Sequence, residues 1–342
     1  MKPHISRSLI IALLLSLNTF AQYTTIHCSS ANIIDSISVI DQSSDLSRYI
    51  FEYDANNNFT SVLRIRRPIE TWLNDIKYNF SYYNNGLTSE RIEQHWESGA
   101  WLNYNKALYL YNLRGQIIED TIYGWVNNNW FHSSIYSYTY NDTSAINFGL
   151  ITSKMLRNWG GSDWVNNFME TYSYDSLGRL SDDIYIMWVN NAWRNETKKH
   201  YTYDTLGRKT TFEFYEWNGT SWRNSTRYRY YYNNYGLLSD TYFDQWQSSS
   251  GTWIACSVTH TAYNSNQLII EETRTPLINI SLSNFFRMTY QYIDNLISSA
   301  LYEYKRDTDL TWTPMDRNTF THNDGRLATN VHEVIIMLLI QR

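Results

Sequence analysis

Three pairs of acidic side chains, Glu93/Glu97, Asp182/Asp183 and Glu271/Glu272, could do chemistry by type and spacing, because glycoside hydrolysis runs on two carboxylates flanking one bond. None of the three recurs in a special context, and acidic residues at hairpin flanks are ordinarily solvated surface. Asp54, Asp175 and Asp204 recur at one place in a repeat and could offer oxygen ligands to calcium. Asn fills that place at Asn84, Asn112 and Asn233, so an Asx turn, in which the side chain bonds the backbone two residues on, is the stronger reading. The histidines of the mature chain (His27, His95, His132, His200, His260, His322 and His332) are dispersed, with no HExxH helix and no Cys at metal spacing. No Gly-rich phosphate loop or Gly-x-Ser-x-Gly elbow occurs. The expectation is a non-enzymatic chain with no catalytic residue, metal site or cofactor.

Aromatic side chains carry the remaining chemistry, since regularly spaced ring faces can stack on sugar rings. They come in a tandem repeat of about 29 residues, with Tyr closing each unit at Tyr53, Tyr83, Tyr111, Tyr140, Tyr174, Tyr203, Tyr232, Tyr263 and Tyr292. Between successive anchors lies a Trp pair, as in Trp125/Trp130, Trp159/Trp164, Trp188/Trp193 and Trp217/Trp222. A fixed period of this kind means one supersecondary unit copied and stacked. Aromatics make up 17% of the chain and Pro only 4 residues, a β composition, so one all-β array is expected rather than two domains.

The units Tyr174–Thr202 and Tyr203–Tyr231 are identical at 11 of 29 positions, clustered at two turns. In Tyr203-Asp204-Thr205-Leu206-Gly207-Arg208, and likewise in Tyr174-Asp175 with Gly178, Asp can bond the backbone ahead and Gly can take the left-handed conformation of a G1 bulge. At the other end Asn190-Asn191 suits a two-residue type I′ turn, which places Trp188 opposite Trp193; Trp125/Trp130 and Trp217/Trp222 follow suit. Each unit is therefore two strands and two hairpin turns. Strict alternation along the return strand predicts Trp222, Asn224, Thr226, Tyr228, Tyr230 and Tyr232 on one face, with Arg223, Ser225, Arg227, Arg229 and Tyr231 on the other. With the bulge at the Asp-Gly turn, Tyr203 faces Lys209, and every Trp and paired Tyr falls on one side of a continuous antiparallel meander.

About 18 strands at ~4.8 Å would make a sheet roughly 85 Å across, wider than strongly twisted open sheets sustain without curling. The sheet is expected to curl or spiral over its Trp/Tyr face. That leaves outer-face aromatics, Tyr185, Phe212, Phe214 and Tyr231, as candidates for ligand contact.

The strings Tyr172-Ser173-Tyr174-Asp175-Ser176-Leu177-Gly178-Arg179-Leu180 and Tyr201-Thr202-Tyr203-Asp204-Thr205-Leu206-Gly207-Arg208 closely resemble the YD repeat of the RHS/teneurin-like family. Tyr53-Asp54, Tyr111 with Gly115 and Tyr232 with Gly236 look like decayed copies, so the resemblance covers roughly residues 50 to 327. It implies a β-strip spiralling into a hollow shell, secreted or extracellular. The unit is longer than is usual for that family and no Asp-Pro occurs, so the architecture transfers better than a toxin-delivery role.

Residues 1–21 read as a signal peptide: Lys2 and Arg7 give the basic start, Ser8–Phe20 the apolar run and Thr19-Phe20-Ala21 the cleavage site. The repeat array is assigned to 22–330, about nine units, and 331–342 to an apolar tail that is either a cap or a truncation. Removing Lys2 and Arg7 leaves 26 basic against 33 acidic residues, a net charge of −7, which argues against nucleic acid as a partner. After signal cleavage no segment is long enough to span a membrane. Cys28 and Cys256 are the only cysteines, and sequence leaves their pairing open. The expected role is structural or adhesive, secreted or at the cell surface, with an extracellular glycan or surface protein as partner. A carbohydrate-binding module is the alternative, and a glycan-active enzyme a distant third.

Overall fold

In a computed structural model of the protein, the residues described are 23–28, 34–40, 46–67, 71–142, 148–278, 284–306, 309–323 and 326–334. They form β1 (Tyr23–Cys28), β2 (Ile34–Ile40), β3 (Leu46–Tyr53), β4 (Phe59–Arg67), β5 (Leu73–Tyr82), β6 (Thr88–Glu97), β7 (Ala100–Tyr111) and β8 (Ile117–Val126). Next come β9 (Asn129–Tyr140), β10 (Ile151–Trp159), β11 (Trp164–Tyr174), β12 (Leu180–Val189), β13 (Ala192–Tyr203), β14 (Lys209–Trp217) and β15 (Trp222–Tyr232). The array continues through β16 (Leu238–Gln247), β17 (Thr252–Tyr263), β18 (Ile269–Pro276), β19 (Asn284–Ile293), β20 (Leu296–Arg306), β21 (Thr313–Asn323) and β22 (Arg326–Val334). Each strand pairs antiparallel with its neighbour in sequence, so the 22 strands make one meander, four more than the period suggests. β1 comes alongside β22, although no hydrogen-bonded ladder joins them among the described residues. The sheet is open and strongly curled.

Two turn types alternate along the meander. At the Asp-x-x-Gly turn the Asp204 amide donates to the Arg208 carbonyl, the Gly207 amide donates to the Asp204 carbonyl, and Gly207 adopts φ 81°. Gly178 does the same at φ 77°. At the other rim Asn190 (φ 51°) and Asn191 (φ 61°) close a tight hairpin with two left-handed residues, which Asn tolerates.

Strict alternation fails in the middle of the return strand. In eight hairpins one residue has no partner, always the third after the second Trp of its unit: Asp75, Tyr104, Ser133, Asn167, Glu196, Ser225, Cys256 and Met315. This bulge and the residue after it point to the same face, so every later side chain swaps sides. Phe214 therefore pairs with Thr226 and Phe212 with Tyr228, whereas Thr211 pairs with Arg229. The expected common face for Trp and Tyr is thus wrong. Tyr228, Tyr230 and Tyr232 lie opposite Trp222, while Arg227, Arg229 and Tyr231 share its side. Lys209 also moves: its ammonium sits 4.8 Å over the Tyr201 ring, on the Tyr face.

The curl covers the Trp face only in part. All 14 Trp are half-buried, because every described strand belongs to the one sheet and nothing is stacked on it. Fully buried apolar side chains are few, and the densest group, Tyr49, Phe51 and Val62, packs with Tyr53, Phe59, Tyr78 and Phe80 near the start of the array. Cohesion comes from within the layer, strand to strand. Residues 1–22 and 335–342 lie outside the described residues, and so does the side chain of Cys28; Cys256 is a free thiol at its bulge.

Candidate functional site

On the Trp face each strand from β6 to β17 carries one Trp at the same level. Trp96/Trp101, Trp125/Trp130, Trp159/Trp164, Trp188/Trp193, Trp217/Trp222 and Trp246/Trp253 are register partners, so six hairpins contribute six pairs. Ring centroids lie 4.7–5.2 Å apart at interplanar angles of 62–71°, the edge-to-face geometry that the indole quadrupole favours. Each such pair contributes about 0.5–1.5 kcal/mol beyond its area burial. The pairs join into a belt: His132 stands 4.9 Å from Trp159 and 5.2 Å from Trp164. Cations also cross between units, with Lys106 over Trp130, Lys198 over Trp222 and Arg227 over Trp253. Each reaches the second Trp of the next unit.

Below the belt sits a buried charge. Asp244, 1% exposed, receives Arg227 and Arg229, each at 2.8 Å. Burial opposes its ionisation, but the hydrogen bonds from Arg229 and Arg227 outweigh that and hold its carboxyl below the usual range. Polar residues line the same face two positions after the second Trp, at Asn103, His132, Asn166, Asn195 and Asn224.

The Tyr face carries its own ladder. Tyr201 stacks on Phe212 at 5.2 Å, Phe212 on Tyr228 at 6.0 Å, and Tyr228 meets Phe243 at 5.1 Å. Of the four outer-face candidates, Tyr185, Phe212 and Phe214 belong here, half-buried. Tyr231 does not. It lies on the Trp face, 45% exposed and edge-on to Tyr242 at 5.5 Å. A recess of about 360 Å³ opens on the Tyr face among Thr259, Glu272, Arg274, Phe286, Met288 and Tyr302.

The closing Tyr and its turn act as a seam between units. Tyr174 donates its hydroxyl to the Ile151 carbonyl, Tyr203 to Leu180, Tyr232 to Lys209 and Tyr292 to Ile269, each 23 residues upstream at 2.7–2.9 Å. Burial raises the pKa of all four phenols, which keeps them protonated as donors. In the second unit the anchor is Tyr82, bonded to the Phe59 carbonyl, not Tyr83. Tyr83 instead takes the turn position that Asp or Asn holds elsewhere, so Asn84 is not an Asx residue of the repeat. Asp204 Oδ1 accepts the Leu206 and Arg208 amides and Oδ2 accepts Arg208 Nε, while the Arg208 guanidinium lies 4.4 Å over the Tyr232 ring of the next unit. Asp175 and Arg179 repeat this toward Tyr203, at 4.6 Å. These carboxylates are occupied by their own turns.

The acidic pairs are not brought together. Asp182 and Asp183 point to opposite faces, the first bonded to His200 and the second to Lys199. Glu272 accepts the Tyr290 hydroxyl at 2.6 Å on the Tyr face, and Glu271 points the other way. Glu93 is held by His95 and Asn105, several residues along the strand from Glu97. Among the described residues no three metal-ligating side chains converge.

Fold and site together define an all-β tandem-hairpin repeat protein with an aromatic belt on one face. No protein-family model matches the chain, and no curated protein does. Among solved structures it is similar to a protein of unknown function from Bacteroides fragilis, at 19% identity and a TM-score of 0.28 over 35% of this chain and 87% of that one. The TcdB2-TccC3-Cdc42 crystal structure matches at 11% identity and a TM-score of 0.45, over 91% of this chain but 16% of that one. A porin-like protein from Bacteroides uniformis matches at 10% identity and a TM-score of 0.30, over 70% of this chain and 94% of that one. At these scores and identities the likenesses settle neither family nor function.

Proposed function

We propose that the chain is an exported, non-enzymatic repeat protein with a structural or adhesive role at or outside the cell surface, built as a member of the RHS/teneurin-like repeat family. One observation carries this reading: a single-layer sheet presents partly buried aromatic side chains on both faces, in a pattern copied from unit to unit. Rows of aromatic side chains that keep part of their surface in solvent are suited to contact with a partner. The turn signature Tyr-Asp-x-x-Gly-Arg, with its Asp and Arg both spent on the seam, supports the family reading at the level of the unit. Export is tested by fractionating cells that make the full chain or a chain lacking residues 1–21. The full chain belongs in the medium or surface fraction and the shortened one in the cytosol; retention of both inside the cell defeats the reading. Adhesion is tested by binding of the purified chain to whole cells.

The Trp belt favours the second reading, a carbohydrate-binding module. Indole faces stack on the C–H faces of pyranoses, and the flanking Asn side chains both donate and accept hydrogen bonds. A glycan array separates the two: binding confined to one sugar class supports the module, and silence on sugars with retention on cells supports adhesion.

A further inference from the structure

We infer, on the basis of the glycan-binding reading, that the Trp belt across β6–β17 is a track for an extended, uncharged polysaccharide of 1,4-linked β-pyranoses. The polysaccharide lies across the strands with one disaccharide per hairpin. Spacing is the first reason. Consecutive Trp pairs sit two strands apart, about 9.6 Å at the usual strand separation. That is close to the length of a disaccharide in a stretched 1,4-linked β-chain. An α-linked or 1,3-linked chain coils and misses successive platforms.

The indoles themselves give one platform per hairpin. In an edge-to-face pair, one ring spends a face on its partner's edge while the other keeps its faces for an outside group. The second Trp is already engaged at Trp130, Trp222 and Trp253 by Lys106, Lys198 and Arg227. The first Trp of those units, Trp125, Trp217 and Trp246, is left to stack.

Charge counts against an acidic glycan, because the chain carries a formal net charge of −5. Arg227 and Arg229 are matched by Asp244 and Glu213, and Lys106 and Lys198 lie over the rings of Tyr123 and Tyr215 as well as the belt. The uncharged polar groups beside the platforms are amides, Asn166, Asn195 and Asn224 on the same face, suited to pairs of sugar hydroxyls. The sheet twists from strand to strand, so the platforms rotate along the track. A single soluble chain can follow that rotation; a flat crystalline glycan surface cannot.

Titration calorimetry with neutral β-1,4-linked gluco-, xylo-, manno- and N-acetylglucosamine oligomers of two to twelve sugars, and with uronate and sulfated oligomers of the same lengths, tests this. At least one series is expected to bind with affinity that rises with length up to about twelve sugars, one disaccharide for each of the six Trp pairs. Asn195→Ala and Asn224→Ala are each expected to weaken the longest oligomer about fivefold, the loss of one hydrogen bond, with circular dichroism unchanged. Affinity flat beyond the disaccharide, preference for uronate or sulfated chains, or full affinity in the Asn variants overturns the track while leaving a glycan module standing. Binding to no glycan of any class overturns both.

Discussion

The Tyr203 hydroxyl donates to the Leu180 carbonyl at 2.9 Å while the Arg179 guanidinium lies 4.6 Å over the same ring, so one side chain ties two repeats together by its tip and its face. Tyr203→Phe keeps the ring contact and removes the tip. The expected cost is about 1 kcal/mol, the net value of one hydrogen bond, read as a lower urea midpoint. A midpoint equal to the parent's would mean that the seam is held by the ring alone.

Gly207 adopts φ 81°, and the nearest atom to an added Cβ is Arg179 Nη1 at 3.8 Å, so the cost of substitution is conformational rather than steric. Gly207→Val is expected to lose about 1–2 kcal/mol. Gly207→Asn should lose less, because the equivalent place is taken by Asn57 at φ 64° in the first described turn. Hydrogen exchange should show faster opening in the neighbouring units only, since each unit touches mainly the next. Equal losses for Val and Asn, or opening spread over the whole array, would contradict the turn assignment.

The Arg179 amide, donating to the Asp175 carboxylate, holds that group below the ordinary carboxylate range. A depressed folded pKa means stability that is present above the unfolded value near 4 and is lost as pH falls through the lower folded value. Urea midpoints measured between pH 6 and pH 2 should therefore fall in acid, and by less in Asp175→Asn. Asn112 and Asn233 show that Asn builds the same turn. Parallel curves for parent and variant would remove Asp175 from the account of acid sensitivity.

Trp188 and Trp193 cross at 69° with centroids 5.0 Å apart, a geometry that couples their electronic transitions. Exciton-coupled circular dichroism should be strong and should melt with the fold. Trp188→Phe should lower its amplitude by about one part in six, as six equivalent pairs contribute. No couplet in the parent would contradict the pairing.

Deleting Ser225 removes the one unpaired residue of its hairpin, so Asn224 and Thr226 become neighbours in a regular strand and Tyr228, Tyr230 and Tyr232 stay opposite Trp222. The deletion is therefore expected to fold, with a stability read from urea unfolding within about 1 kcal/mol of the parent's, and Ser225→Ala, which keeps the extra residue, should stay within about 0.5 kcal/mol. Failure of the deletion to fold would show that the bulge does more than absorb one extra residue.

Turn chemistry was legible in the sequence because it depends on residue type. Gly178, Gly207, Asn190 and Asn191 are the residues that left-handed backbone selects, and the Trp pairs follow from the turn they flank. The mid-strand bulge was not legible. Its occupants include Asp75, Tyr104, Ser133 and Cys256, which share no chemistry, and only their distance from the second Trp is constant. The face of every later Tyr, and with it the misplaced Tyr231, was lost for that reason. Two adjacent Tyr, Tyr82 and Tyr83, also hid the second anchor. With Tyr82 restored, the separations from Tyr53 and to Tyr111 are both 29.

The seams between units have a mechanical consequence. A load applied to the two ends of the array pulls across the strands, so it peels hairpins in turn instead of shearing all ladders at once. Each unit that lets go frees 29 residues, or about 100 Å of extended chain. Its neighbour stays closed behind its own tyrosine. An array of this design yields in steps and lengthens greatly before it parts, as a shock absorber does.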